Sequence, residues 1–231
     1  MSIEEQYKNG TYLEHNPGWH CADAPWKIGN VISLLNAHEI RPATVCEVGC
    51  GSGENLRCFR REMPETHFFG YDISPQAADF WGGDSREIVF KQGDFNEIDT
   101  SVYDVLLMLD VFEHVRDPFT FLEGAKSHAK KFVFHIPLDL SASSVVRRRP
   151  LLDVRRKVGH LHYYTKDLAL EMLADCGYKV VEWQYTGASL NSPQRSLRTR
   201  VAGYLRRLAY FFNKDWGVRL LGGETLIVLA E

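Results

Sequence analysis

At 231 residues the chain is long enough for a single α/β domain with its own core, and a formal net charge of −3 gives no overall bias toward nucleic acid or anionic membrane, although the charges are unevenly spread. Cys21, Cys46, Cys50, Cys58 and Cys176 form no Cys-x-x-Cys pair, which argues against a disulfide framework or a zinc ribbon and for reduced thiols in the cytoplasm. No apolar run approaches the ~20 residues of a membrane span, and the polar, acidic start (Glu4, Glu5, Gln6) indicates no export.

Residues 1–24 concentrate Tyr7, Tyr12, His15, Trp19 and His20 around Asn16-Pro17-Gly18, the composition of a loop or short helices that either covers a ligand as a lid or anchors the segment. A helix is expected from about Pro25, with Asp23 as its cap and Ile28, Ile32 and Leu35 at helical spacing, up to Arg41-Pro42. Residues 43–53, Ala-Thr-Val-Cys-Glu-Val-Gly-Cys-Gly-Ser-Gly, then read as a strand buried on both faces that turns sharply into a helix near Glu54. Gly49, Gly51 and Gly53 allow positive φ and close approach of a ligand. A dinucleotide fingerprint starting at Gly49 would need its third glycine at position 54, where Glu54 stands, so the ligand expected here lacks a pyrophosphate.

Leu56 and Phe59 with Arg57, Arg60 and Arg61 make an amphipathic helix that Met63-Pro64 ends. The run from His67 to Ile73 is a second strand, and Asp72 at its C-terminal edge, nineteen residues beyond Gly53, suits a carboxylate accepting from both ribose hydroxyls of an adenosine; the alternative is a turn or cap role. Ser74-Pro75 should cap a helix. A third strand, Ile88 to Gln92, leads into Gly93-Asp94-Phe95, where a carboxylate and a neighbouring ring could hold an adenine, although turn chemistry alone also favours Gly-Asp. Tyr103 to Asp110 is the most apolar stretch and a central strand, continued by Val111-Phe-Glu-His-Val115.

The series Glu47-Val-Gly-Cys-Gly-Ser-Gly53, Asp72, Gly93-Asp-Phe95 and Leu109-Asp-Val-Phe-Glu-His-Val115 resembles the class I S-adenosylmethionine methyltransferases, nearest to the ubiquinone-pathway O-methyltransferase-like branch. The resemblance covers residues 43–138 well and the remainder loosely. It implies a doubly wound, mostly parallel, seven-stranded Rossmann-like sheet with an antiparallel last strand. It also implies that Gly49, Cys50 and Gly51 pass under the methionine part of S-adenosylmethionine while Glu47 fixes the loop and the amino end. Asp72 would take the ribose, Ile73 one adenine face, Asp94 and Phe95 the adenine edge and its other face, and the Asp110 backbone would close the methionine end.

Glu113 and His114 follow strand four, beside the expected position of the reacting methyl, and His114 is the leading candidate for a general base, against a purely structural role. In some quinone-pathway relatives the acidic residues and histidine here are proposed to bind a divalent cation, and Asp110, Glu113 and His114 match that arrangement in part, which leaves a metal unassigned. Asp117-Pro118 opens a helix with Phe119, Leu122 and Ala125 on one side, and Lys131 to Pro137 is the fifth strand. Regularity fails over residues 139–164, where Arg147-Arg148-Arg149 and Arg155-Arg156-Lys157 could read an acidic acceptor or be solvated, and where His160 and His162 are secondary candidates for the base. Thr165 should cap a helix with Leu168, Met172 and Leu173 inward and Gly177 as its stop, before strands at 178–185 and 224–230.

Between those strands Leu197, Val201, Tyr204, Leu205, Leu208 and Phe212 form an apolar helical face beside Arg195, Arg198, Arg200, Arg206 and Arg207, expected as a lid over the acceptor pocket, with a membrane or protein surface as the alternative. The chain is therefore expected to be one domain: 1–42 N-terminal lid and helix, 43–138 cofactor core, 139–164 and 188–222 substrate-side insertions. The function expected is methylation of a small-molecule hydroxyl. Nucleic-acid amino-methylation is disfavoured because Asp110-Val-Phe-Glu stands where such enzymes carry an Asn/Asp-Pro-Pro-aromatic run. The competing reading is a catalytically silent methyltransferase-like domain that serves a partner through its arginine-rich helix. Acceptor and oligomeric state are left open.

Overall fold

The computed structural model describes residues 9–10, 13–14, 16, 18–19, 21–82, 88–191 and 197–231, with backbone alone for 197–202. Tyr7, Tyr12, His15 and His20 of the expected lid, and Arg195, lie outside the described residues, as do the side chains of Leu197, Arg198, Arg200 and Val201.

The strands are β1 (Thr44–Val48), β2 (His67–Asp72), β3 (Ile88–Gln92), β4 (Tyr103–Leu109), β5 (Ala129–Pro137), β6 (Val180–Tyr185) and β7 (Thr225–Ala230), and they form one sheet in the order β3-β2-β1-β4-β5-β7-β6. All pairings among β1 to β5 are parallel, while β7 runs antiparallel to both β5 and β6. Helices α1 (Ala24–Ala37), α2 (Glu54–Glu62), α3 (Pro75–Ala78), α4 (Phe95–Ile98) and α5 (Pro118–Ala125) connect the first half of the sheet. In the second half come α6 (Ala142–Arg147), α7 (Arg149–Lys157), α8 (Lys166–Asp175), α9 (Ala188–Asn191), α10 (Leu197–Phe212) and α11 (Lys214–Leu221).

The central strands read as unbroken apolar runs because both sheet faces are covered. Cys46, Leu106, Met108, Phe132 and Phe134 belong to one core with Leu122 and Leu173, and Val45, Val105, Leu107 and Val133 to the other with Ile28, Leu35 and Phe59. Thr165 accepts from the Leu168 N–H, and Asp117 caps α5 by accepting from the Thr120 N–H. Asp23 makes no such bond, since its backbone is already helical and α1 begins at Ala24. Ser74 precedes Pro75 without a side-chain cap bond; its hydroxyl donates to Gln76 Oε1 instead. Phe119 and Leu168, expected on the inner side of their helices, are exposed; each sits on the first turn of its helix.

Candidate active site

Parallel strands deliver their C-terminal ends to one edge, and the loops after β1, β2, β3, β4 and β5 converge there. After β1 the chain takes φ of 73° at Gly49, 52° at Gly51 and 79° at Gly53. The N–H groups of Gly49 and Cys50 donate to the Tyr71 carbonyl at 2.8 and 3.0 Å, and the Gly51 N–H donates to Asp72 Oδ2 at 2.8 Å. These bonds tie the loop to β2. A Cβ on Gly49 would lie 2.7 Å from Val111 Cγ2, and one on Gly51 would overlap the Trp19 indole, so the loop is a cradle that a side chain would fill. Gly49→Ala should therefore cost about 1–2 kcal/mol through forced left-handed backbone alone, read as a Tm lower by several degrees, and it should weaken ligand binding; an unshifted melt would show that the loop accommodates the methyl by moving.

Two cavities, of about 340 and 180 Å³, open on this edge, and both are lined by Trp19, Gly49, Asp110 and His114. The smaller is walled by Tyr71, Asp72, Ile73, Asp94, Phe95 and Phe121, bringing together the residues read from sequence as an adenosine site. Asp72 is almost fully buried, and its Oδ1 accepts from the Ser74 N–H at 2.8 Å; burial pushes its carboxyl up to about 6 against the pull of these two amides. Ile73 is partly exposed at the wall, as a face for a planar base requires. Asp94 Oδ1 accepts from the Asn96 N–H at 3.0 Å and so caps α4, while the Phe95 ring is buried edge-on against Tyr71 and His128. Cys50 and Gly51 line the larger cavity. Glu47 lines neither: it is buried behind the loop, accepts from Asn55 Nδ2 at 2.7 Å, and burial lifts its carboxyl to about 8.

The Asp72 value has a consequence for pH. A protonated carboxyl cannot accept from two hydroxyls, so binding of an adenosine-containing ligand should weaken as pH falls through 6, by about tenfold between pH 7 and pH 5. Calorimetric titration across that range checks this; a flat profile would remove Asp72 from the contact.

Asp110 stands just beyond β4 with φ of 59°, in the left-handed region. Its side chain is held by Lys27, whose Nζ lies 2.6 Å from Oδ2, and by His135, whose Nδ1 lies 2.7 Å from Oδ1, and all three residues line the larger cavity. Burial opposes ionisation of Asp110, yet the His135 and Lys27 contacts hold its carboxyl well below the usual carboxylate range. His135 Nε2 continues to Thr225 Oγ1 at 3.0 Å, linking β5 to β7. Lys27 and His135 went unread in the sequence. The only signal was a lone histidine inside the apolar fifth strand.

Glu113 is wholly buried, and neither of its carboxylate oxygens has a hydrogen-bond partner among the described residues; burial and the nearby Asp110 charge hold it well above the usual carboxylate range. His114 and His160 pack edge to face with ring centroids 4.8 Å apart, and His160 Nδ1 lies 2.6 Å from Asp139 Oδ2. Burial opposes a charge on His160, but the Asp139 bond and the neighbouring carboxyls raise it above the ordinary histidine value. One ligand atom from each of Glu113, His114 and His160 falls within 4.8 Å of the others, a set able to hold a divalent cation once Glu113 gives up its proton. Asp110, the residue the resemblance would have included, is engaged with Lys27 and His135 instead.

His160 lines the larger cavity together with His114, whereas His162 lines neither; its Nε2 lies 3.0 Å from the Val115 carbonyl oxygen. Residues 139–164 reach the larger cavity through Val158 and His160, and residues 188–222 through Ala188. No described side chain of α10 lines either cavity.

A glycine cradle after β1, an acidic residue ending β2 and the β3-β2-β1-β4-β5-β7-β6 sheet define the Rossmann-like, S-adenosylmethionine-dependent methyltransferase class. The model of the methyltransferase domain family matches residues 24–183, and the chain belongs to that family. Solved structures agree on the fold. Magnesium protoporphyrin IX methyltransferase from Synechocystis PCC 6803, with S-adenosylhomocysteine bound, is 15% identical, with 89% of this chain and 82% of that one covered and a TM-score of 0.56. The plantazolicin methyltransferase BpumL, solved with a desmethyl plantazolicin analogue and S-adenosylhomocysteine, is 16% identical over 99% and 88% of the two chains, with a TM-score of 0.57. Human N-acetylserotonin methyltransferase, with S-adenosylmethionine bound, is 17% identical over 82% and 47%, with a TM-score of 0.52. No curated protein matches by sequence. Among the described residues no helix is long and apolar enough to cross a membrane.

Proposed function

We propose that this methyltransferase acts on a small-molecule or peptide acceptor, at a hydroxyl, with His114 as the proton acceptor. The observation that supports the reading is that Gly49, Asp110 and His114 line both cavities, so that one imidazole borders the smaller recess and the larger space alike. S-adenosylmethionine, when bound, supplies an electrophilic methyl group on a sulfonium. Asp72 holds the ribose, Ile73 and the wall at Asp94 and Phe95 take the adenine, and the loop 49–51 carries the methionine end, with Glu47 bracing it from behind. Asp110, pinned by Lys27 and His135, keeps its backbone fixed at that end. His114 would take the acceptor hydroxyl's proton as its oxygen displaces the thioether from the methyl group, S-adenosylhomocysteine being the leaving group, and His160, oriented by Asp139, holds the imidazole by edge-to-face contact.

Acceptors in the neighbouring structures include a porphyrin and a peptide natural product, which supports small-molecule or peptide chemistry; the motif series favours oxygen, in the manner of the ubiquinone-pathway branch. The five cysteines, free in the structure, fit a reducing cytoplasmic compartment. The test is calorimetric titration with S-adenosylhomocysteine, followed by a screen of phenols, carboxylates and thiazole peptides with radiolabelled methyl donor. One-to-one binding with transfer to a hydroxyl supports the reading. Binding without turnover on any acceptor would favour the catalytically silent alternative, and label found on nitrogen or carbon would overturn the oxygen assignment.

A further inference from the structure

The helices inserted around β6 carry a surface that methyl transfer does not use. In α10, Tyr204, Leu205, Leu208, Phe211 and Phe212 recur at i, i+1, i+4, i+7 and i+8, which is one face of a helix. That face is turned to solvent: Phe211 is 84% exposed and Phe212 78%. The opposite face already holds the helix to the domain, since Arg206 Nε and the Tyr210 hydroxyl donate to the Gly222 carbonyl at 2.9 and 3.1 Å and Gly203 is buried. The apolar stripe is therefore not a core face waiting for its own domain. Helix α11 packs on α10 and adds exposed Trp216 and Leu220, and α6, packed on α11, adds Val146 at 85% exposure.

Charge distinguishes this layer as sharply as hydrophobicity does. Residues 142–157 and 197–221 together hold twelve Lys and Arg against two Asp, whereas the rest of the chain holds fifteen basic and twenty-eight acidic residues. An acidic body thus carries a basic, aromatic-rich cap.

We propose that this cap docks on an anionic lipid bilayer, with α10 lying in the plane of the interface. Aromatic and leucine side chains beside arginines suit that boundary, where rings enter the acyl edge and guanidinium groups stay with the phosphates. A second copy of the chain fits less well, because it would bring one basic layer against another. Val158, the residue that ends α7, lines the larger cavity, so docking would set that cavity close to the bilayer. The inference does not depend on the acceptor or on the identity of the base.

Flotation of the purified full chain tests it, with vesicles of phosphatidylcholine alone or with about 30% phosphatidylglycerol, at about 0.05 M and 0.5 M salt. The expected result is flotation with the anionic vesicles only, reduced at high salt. Phe211→Ser with Phe212→Ser should lower partitioning at least about tenfold, and Arg155→Glu with Arg156→Glu should lower it and flatten its salt dependence. Both pairs are exposed, so S-adenosylhomocysteine binding should be unchanged and serves as the check that each variant is folded. Absence of flotation at low salt, or equal flotation of the double serine variant, would overturn the proposal. So would a lipid-free dimer in sedimentation velocity that the serine variant abolishes, which would assign the face to a second copy.

Discussion

Asp72→Ala should weaken S-adenosylhomocysteine binding by about 100-fold or more in calorimetric titration, the largest effect on affinity expected from any single side chain of the site. Hydrogen bonds to an ionised group are worth about 1.5–3 kcal/mol each, and a carboxylate facing a ribose diol makes two. The geometry adds a second contribution. Asp72 holds the Gly51 N–H through Oδ2 and the Ser74 N–H through Oδ1, so its loss frees the tip of the glycine loop as well as the ribose contact. Asp72→Asn separates the two effects. The amide keeps an acceptor for one backbone N–H but presents donors to the hydroxyls, so it should lose affinity nearly as severely while its melting temperature stays closer to that of the parent. Unchanged affinity in the alanine variant would mean that the smaller cavity is not the adenosine site.

The second large effect is on turnover. With an acceptor in hand, His114→Asn should lower kcat by roughly 100-fold or more, the range general acid–base catalysis supplies, while S-adenosylhomocysteine affinity stays within about twofold because the ring contributes no charge-assisted bond to the cofactor's ribose. The acidic limb of the kcat profile should flatten in the same variant, since the group whose deprotonation it reports has gone. Proximity and alignment can carry methyl transfer by themselves, and an unaffected rate would establish that they do so here. Asp139→Asn is the companion test. It leaves both histidines in place but removes the carboxylate that orients His160 and raises its basicity, so a smaller loss of kcat with a displaced pH profile should follow. Loss of stability without a displaced profile would assign Asp139 and His160 to packing alone.

Proton inventory around Glu113 ties these experiments to the cation question. A carboxyl held neutral in a dry site cannot bind a cation without releasing its proton. A divalent ion that entered the Glu113, His114 and His160 cluster would therefore compete with the role of His114 as a base, and it would register as proton release in calorimetry performed in buffers of different ionisation enthalpy.

Much of this molecule was decided within short windows of sequence. The unbroken apolar runs at β1 and β4, the glycines at 49, 51 and 53, the acidic end of β2 and the Gly93-Asp94-Phe95 turn are local features, because buried parallel strands and left-handed turns impose their demands on consecutive residues. These windows, in their order along the chain, defined the sheet and the residues that wall the smaller cavity. Tertiary structure alone decided the rest, because the partners are far apart in sequence. Lys27 meets Asp110 across 83 positions and His160 meets Asp139 across 21, and no periodicity links the members of either pair. That His160 lines the larger cavity while His162 lies against the Val115 carbonyl was not legible from two residues so close on an irregular segment. The outward turn of α10 was undetermined for the same reason. An amphipathic pattern specifies that a helix has an apolar face, but which face its neighbours take depends on where Gly222 and α11 stand, and here they took the side that carries Arg206 and Tyr210.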